Sequence, residues 1–240
     1  MSDRSSPLTT PWSLDGANVA FTFDPPRAGA AAAISYAVVR SGTNKVDKLV
    51  GTSKNEWFRG LGGDDGLLGG GGHDKLDGGA GNDIVGGGSG NDILIGGSGV
   101  DLLDGGTGND TVSGGSGSDI VHGGKGNDVL TGGKGKDLFW FETALNRKSN
   151  VDLITDFYVK DDTVALYSRI FKKAGPSDSI LKAAAFRKGA KALDASDRII
   201  YDKATGALYY DPDGTGKAAQ VQFAQLKANL ALTYKDFAII

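Results

Sequence analysis

The chain has 240 residues, carrying 26 Lys plus Arg against 29 Asp plus Glu, a net charge of −3, and no cysteine. Without cysteine there are no disulfides and no thiolate chemistry, and without a basic excess a nucleic-acid partner is excluded. No apolar run reaches the ~20 residues that a bilayer-spanning helix needs.

Residues 1–41 read as an N-terminal flank or cap, too short for an independent catalytic domain. The strand-like Asn18-Val-Ala-Phe-Thr-Phe23 is expected to cover the first coil of the segment that begins at residue 42, or to belong to a further domain. The apolar stretch Ala28–Val39 comes after Pro25-Pro26 and has no basic start. It reads as a buried strand or helix and not as a secretory leader.

From residue 42 to Trp140 a nine-residue frame governs the chain. Of the 39 glycines, 30 fall between Gly60 and Gly135. The segment from Gly60 to Trp140 holds twelve Asp and four Lys, a net of −8, against +5 for the remainder. Such an acidic stripe points to a cation partner. From Gly78 the units run GGAGNDIVG, GGSGNDILI, GGSGVDLLD, GGTGNDTVS, GGSGSDIVH, GGKGNDVLT and GGKGKDLFW. GGGGHDKLD and the looser GLGGDDGLL precede them, with Leu61 in second place. GTSKNEWFR and GTNKVDKLV, still earlier, keep only the frame, with Glu56 and Asp47 in sixth place and Phe58 and Leu49 in eighth.

Glycine fills the first, second and fourth places, where it permits positive φ and close backbone approach. The first six residues of a unit are therefore predicted to turn. The last three, such as Ile84-Val85 and Val129-Leu130, are predicted to form a very short strand. Alternation sends the eighth residue inward and the seventh and ninth outward. Polar ninth residues (Asp77, Asp104, Ser113, His122, Thr131) agree. Two units make one coil of eighteen residues, and stacked coils make two parallel sheets around a thin core. His73 and His122 occupy variable places and read as surface residues, and Lys125, Lys134 and Lys136 as solvated turn residues.

Unit n then stacks on unit n+2 at about 4.7–4.9 Å. Calcium bonds oxygen at about 2.3–2.6 Å, so two oxygens across one ion lie ~5 Å apart. Asp83 is expected to share one ion with Asp65 and another with Asp101, with Asp74, Asp92, Asp110 and Asp128 forming the ladder on the other edge. About seven sites result. One or two apolar residues per unit contribute only about 2–5 kcal/mol of burial, while ordering each backbone residue costs about 1–2 kcal/mol. The metal-free chain is therefore expected to be disordered, with binding and folding a single equilibrium. Magnesium prefers shorter bonds and keeps its waters, and zinc would find only two histidines and no cysteine.

Residues 60–140 resemble the RTX, or haemolysin-type, calcium-binding repeat. The resemblance implies an all-β, right-handed parallel β-roll over residues 42–140. It implies calcium held by the sixth-place carboxylates of Asp65, Asp74, Asp83, Asp92, Asp101, Asp110, Asp119, Asp128 and Asp137. Backbone carbonyls of the turn glycines complete the shell: Gly70 and Gly72, Gly79 and Gly81, Gly88 and Gly90, Gly97 and Gly99, Gly106 and Gly108, Gly115 and Gly117, Gly124 and Gly126. Glu56 and Asp47 lie in turns that lack most of these glycines. Residues 141–240 look like the β-rich cap that comes after the roll. Within that cap, Val151–Phe157 resembles the next strand, and Arg198–Asp202 with Gly206–Asp211 is predicted to form a hairpin.

Asp211-Pro-Asp-Gly-Thr-Gly216 is predicted to be a plain turn, since an EF-hand's twelfth-place Glu falls at Gln222. The terminal Asp236-Phe-Ala-Ile-Ile240 is similar to the uncleaved signal read by a type I ABC-transporter secretion system. The family implies a Gram-negative source, an extracellular location and folding in extracellular calcium.

No H-E-x-x-H and no G-x-S-x-G occurs, both histidines belong to the repeats, and the repeat carboxylates are committed to metal. The expected protein is a secreted calcium binder and not an enzyme. The alternative is a calcium-stabilised module of an extracellular enzyme that binds polysaccharide or a cell surface, for which Tyr209 and Tyr210 are the candidate contacts.

Overall fold

The computed structural model describes residues 21–22, 34–146 and 148–240. Two stacked sheets dominate it, one of nine strands and one of eleven, with only two short 3-10 turns among the described residues. Among those residues no helix is long and apolar enough to cross a membrane.

The nine-residue frame produces the predicted stacking. Leu102–Thr107 pairs in parallel with Ile84–Ser89 on one side and Ile120–His122 on the other, each eighteen residues away. Thr111–Ser116 does the same in the other sheet with Ile93–Ser98 and Val129–Lys134. Eighth-place side chains form the core, and Phe58, Leu67, Leu76, Val85, Leu94, Leu103, Val112, Val121, Leu130 and Phe139 are all buried. The strands are longer than the predicted three residues. Most run six, from the seventh place of one unit to the third of the next. The glycine pair does not end the ladder, because Gly106 still pairs with Gly88 and Thr107 with Ser89.

Within the strong units, positive φ falls only on the second and fourth glycines, for example +115° at Gly97 and +131° at Gly99. The fourth place is also the tightest. A Cβ on Gly99 would overlap the carbonyl oxygen of Gly81, one coil earlier. Only glycine satisfies both the conformation and the contact.

The outward faces of the two sheets differ. On the eleven-stranded sheet the ninth places include the expected polar Asp77, Ser113 and Thr131. On the nine-stranded sheet they include Val50, Leu68, Gly86 and Trp140, and the exposed Leu68 and Ile84 leave an aliphatic stripe facing solvent. His122, expected at the surface, is only 9% exposed. It lies between Asp104 and Trp140 in the same row, with its Nδ1 3.0 Å from Asp104 Oδ1. Lys125, Lys134 and Lys136 are exposed, but of the three only Lys136 lies outside the ladders, since Lys134 ends the strand Val129–Lys134 and Lys125 bridges to Thr107.

After Trp140 both sheets continue without a break, but the interval lengthens. Leu153 pairs with Val129, and Thr163 with Leu138. Val221–Gln225 then extends one sheet and Phe237–Ile239 the other. Ile199–Asp202 and Ala207–Tyr210 form the predicted hairpin. The thin aliphatic core gives way to an aromatic plug in which Phe141 and Phe171 each meet Phe223 edge-on at 5.2 Å. Asp211 Oδ1 accepts the Gly214 N–H at 2.8 Å, which makes 211–216 a side-chain-closed turn.

At the other end, Val38–Ser41 pairs with Glu56–Gly62, and Phe21–Thr22 pairs antiparallel with Ser35–Tyr36. Most of Asn18–Phe23 and the first half of the Ala28–Val39 stretch fall outside the described residues; the second half of that stretch is strand, with Tyr36 buried.

Candidate metal centre

From Glu56 to Asp137, each sixth-place carboxylate lies at the mouth of a turn and is 1–3% exposed, whereas Asp47 is only partly buried. One oxygen is spoken for. Asp83 Oδ1 accepts the Asp65 N–H at 2.7 Å, Asp101 Oδ1 accepts the Asp83 N–H at 2.8 Å, and Asp119 Oδ1 accepts the Asp101 N–H at 2.9 Å. The second row repeats the pattern from Asp74 through Asp92 and Asp110 to Asp128. Successive carboxylates are thus joined through a backbone N–H. One oxygen of each remains for a ligand.

That second oxygen has no hydrogen-bond partner. Oδ2 of Asp65, Asp74, Asp83, Asp92, Asp101, Asp110, Asp119, Asp128 and Asp137 is buried and unpaired, as is Glu56 Oε2. Stranding a charged oxygen away from water is costly unless something cationic compensates it. Burial accordingly raises the carboxyl pKa values, the N–H bond offsets part of the rise, and neighbouring carboxylates add to it at most of these positions. Asp83 and Asp101 are pushed up to about 6, and Asp74 and Asp110 to about 7.

Carbonyl oxygens converge on the same places. A Cβ on the first-place Gly87 would lie 2.5 Å from Asp92 Oδ2 and 2.6 Å from the Gly105 carbonyl oxygen, and Gly96 repeats this with Asp101 and Gly114. Glycine therefore keeps open a cradle shared by a carboxylate of one coil and a carbonyl of the next. The fourth-place glycines direct their carbonyls at the following coil in the same way. Among the described residues, no three His, Cys, Asp or Glu side chains cluster as a metal site. Any cation here would take one carboxylate oxygen per turn and fill the rest of its shell from the backbone. An all-oxygen donor set of this kind suits calcium, a hard ion that accepts six to eight oxygens in flexible geometry.

The fifth place carries a second ladder of opposite polarity. Asn82 Oδ1 accepts from the Val100 N–H, Asn91 Oδ1 from the Asn109 N–H and Asn109 Oδ1 from the Asn127 N–H, each at 2.8–2.9 Å. His73 belongs to this ladder, its Nδ1 accepting the Asn91 N–H at 2.8 Å. That bond requires the tautomer protonated on Nε2.

Residues 50–85, 77–112, 86–121 and 113–142 match the family model for the RTX calcium-binding nonapeptide repeat, in four copies. Residues 50–142 are an RTX calcium-binding repeat array. Among solved structures, the chain is similar to extracellular lipase LipA from Serratia marcescens, at 15% identity and a TM-score of 0.35. The match covers 83% of this chain and 39% of the lipase, so the chain spans about two fifths of the lipase's length. It is also similar to the AlgE6R3 subunit of the Azotobacter vinelandii mannuronan C5-epimerase, at 19% identity and a TM-score of 0.27. That match covers 82% of this chain and 80% of the subunit. No curated protein sequence matches the chain.

Past the RTX array, two carboxylates continue the ladders that the nine-residue frame could not locate. Asp152 Oδ1 accepts the Asp128 N–H at 3.2 Å and Asp162 Oδ1 the Asp137 N–H at 3.1 Å. Asp162 Oδ2 is satisfied by the Tyr158 N–H at 2.7 Å, and Asp156 accepts N–H groups from both Gly132 and Gly133. These groups close the ladder against the cap. At the opposite end Glu56 keeps the RTX pattern. It is buried, its N–H donates to Asp74 Oδ1 at 2.6 Å and its Oε1 accepts from Thr52 Oγ1. Tyr210 is buried, its hydroxyl accepting the Lys173 N–H, and Tyr209 is half-buried, so the pair does not form an exposed aromatic platform.

The raised carboxyl pKa values produce a pH dependence. The metal-free fold binds more protons than the unfolded chain, so this contribution is fully present below the ordinary carboxyl value near 3.8 and is lost as pH rises through about 6–7. In metal-free buffer, far-UV circular dichroism is expected to show β-structure increasing from pH 7 to pH 4. The calcium midpoint is expected to move the opposite way, rising on acidification as protons compete for the same oxygens. A metal-free spectrum unchanged over that range would contradict the burial of these carboxylates.

Proposed function

We propose that this protein is a secreted, non-enzymatic calcium binder whose RTX array folds when calcium enters between successive coils. The observation that carries this reading is the double row of buried sixth-place carboxylates, each with one oxygen unpartnered and, from Asp65 to Asp119, a backbone carbonyl of the next coil beside it. The ligands are Oδ2 of Asp65, Asp74, Asp83, Asp92, Asp101, Asp110, Asp119, Asp128 and Asp137, with turn-glycine carbonyls from Gly70 to Gly126. They hold about seven ions, counting one for each pair of stacked carboxylates. Without the cation, two rows of like charge and one apolar residue per unit do not offset the ordering of a glycine-rich backbone.

The same coupling supports export through a type I channel. At low calcium the chain stays unfolded and its C-terminal segment is accessible. Once folded, Phe237–Ile239 forms a strand beside Thr163–Leu166, with Phe237 and Ile239 buried. A signal in that segment would be readable before folding and hidden afterwards.

Calcium titration followed by circular dichroism, run beside magnesium, tests the proposal. β-Signal is expected to appear cooperatively with calcium, half-saturating at about 10⁻⁴–10⁻³ M as extracellular modules do, and not with magnesium. A fully folded spectrum in excess chelator at neutral pH would overturn the coupling.

A further inference from the structure

The outer face of the nine-stranded sheet carries a feature that calcium does not use. Its coils present seventh- and ninth-place side chains to solvent, but two of those places are glycine. Nothing lies within 4 Å of where a Gly66 Cβ would be, and a Gly86 Cβ would meet only Leu68 Cδ1, at 3.1 Å. These two missing side chains open a hollow of about 680 Å³ in an otherwise continuous sheet surface. Its volume falls within the ~300–1,000 Å³ of small-molecule sites. The walls are aliphatic, and Val50, Leu68, Ile84 and Leu102 are 36–62% exposed. Aliphatic walls suit a hydrocarbon chain better than a sugar ring, which stacks on flat aromatic faces.

One end of the hollow is polar and incompletely satisfied. His122 and Trp140 line it, and His122 Nε2 and Trp140 Nε1 are both buried without a hydrogen-bond partner. Asp104 Oδ1 lies 3.0 Å from His122 Nδ1. The indole N–H can only donate, and an imidazole nitrogen accepts or donates according to the protons the ring carries. The pair therefore calls for a group that accepts from the indole and can serve either role at Nε2. A hydroxyl does both. A carboxylate would face the carboxylates of Asp104 and Glu142 at the same end, since Lys48, the lining's lysine, pairs with Gly66 at the other, and an ammonium cannot accept from the indole.

We infer that this hollow binds a free single-chain aliphatic alcohol, its hydrocarbon over Leu68, Ile84 and Leu102 and its hydroxyl between His122 and Trp140. The site lies on the outer face of the sheet and not at the turns that carry the cation ladders, and it exists only in the folded roll.

Isothermal titration calorimetry of the full chain in saturating calcium, with decan-1-ol, decanoate and decylammonium below their aggregation concentrations, tests this. Decan-1-ol is expected to bind saturably at one per chain and at least tenfold more tightly than either charged analogue. Gly66→Leu fills the hollow at a place with open space and ordinary φ, and is expected to reduce decan-1-ol affinity at least tenfold. His122→Phe keeps an aromatic ring and removes the Nε2 contact, and is expected to abolish the preference for alcohol. Calcium-induced circular dichroism of both variants separates loss of the hollow from loss of the fold.

Undiminished decan-1-ol binding in a folded Gly66→Leu chain would overturn the location, and equal or tighter binding of decanoate would overturn the head-group assignment. Absence of decan-1-ol binding, with self-association that Gly66→Leu abolishes, would assign the face to a second copy of the chain and overturn the proposal.

Discussion

Gly99→Ala is expected to remove most of the calcium-induced folding transition. Gly99 has φ +131°, and a Cβ there would overlap the Gly81 carbonyl oxygen of the preceding coil. An L-residue in left-handed conformation costs roughly 1–2 kcal/mol, and forcing an atom into a packed site adds about 1–3 kcal/mol. The obstructing atom is backbone and is part of the coil stack, so it cannot rotate away as a side chain could. Separating the coils to relieve the overlap would also pull the carboxylate of one turn from the carbonyl of the next. Folding and cation affinity should therefore fall together. Gly66→Ala is the matched control, since its Cβ would meet open space and its φ is not left-handed. It should be neutral or stabilise by about 0.4–1 kcal/mol through the unfolded chain. Calcium titrations followed by circular dichroism compare the two, and coincident midpoints would show that coil contact at the fourth place is not limiting.

Asp101→Asn is expected to act with opposite sign on the metal-free and calcium-loaded protein. The amide keeps an oxygen to accept the Asp83 N–H and removes a buried negative charge whose carboxyl burial has pushed up to about 6. Without calcium at neutral pH the variant should therefore be no less structured than the parent, and is expected to be more so. With calcium it lacks a charged ligand in the middle of its row, and the midpoint should rise about tenfold, the scale on which ligand charge tunes calcium sites. Asp65→Asn should shift the midpoint less, because its Oδ1 accepts from Asp47, in a turn without the full glycine set. A variant destabilised equally with and without calcium would mean that Asp101 acts through packing and not as a ligand.

Much of this architecture is legible in residue spacing, because stacked coils impose one environment on every ninth residue. The buried eighth place and the acidic sixth place are such repeated environments, and both are occupied as their chemistry requires. What spacing cannot carry is the partner of each polar atom. The sixth-place Oδ1 is committed to an N–H one coil back, and this depends on which way the side chain leans along the stack. His73 looks like an interruption because its residue type differs from asparagine, yet its Nδ1 offers the same acceptor. Asp152 and Asp162 do not stand out because the interval stretches beyond eighteen residues after Trp140, so the frame no longer indicates which acid stacks on which. The hollow on the nine-stranded sheet is hidden in the sequence because polar ninth residues describe only one face well, whereas Leu68, Gly86 and Trp140 all fall on the other.

The eighteen-residue register also constrains how such a chain can change length. Neighbouring units belong to opposite sheets, so each unit has a parity. Excising a single nonapeptide from the middle would transfer every later strand to the other side. Asp152–Ile154 and Thr163–Leu166, each docked on one particular sheet, would then meet the wrong partner. Removing two units together shortens the stack by one coil and leaves both docking edges as they were. The cap thus acts as a counter that accepts growth or loss only in even steps.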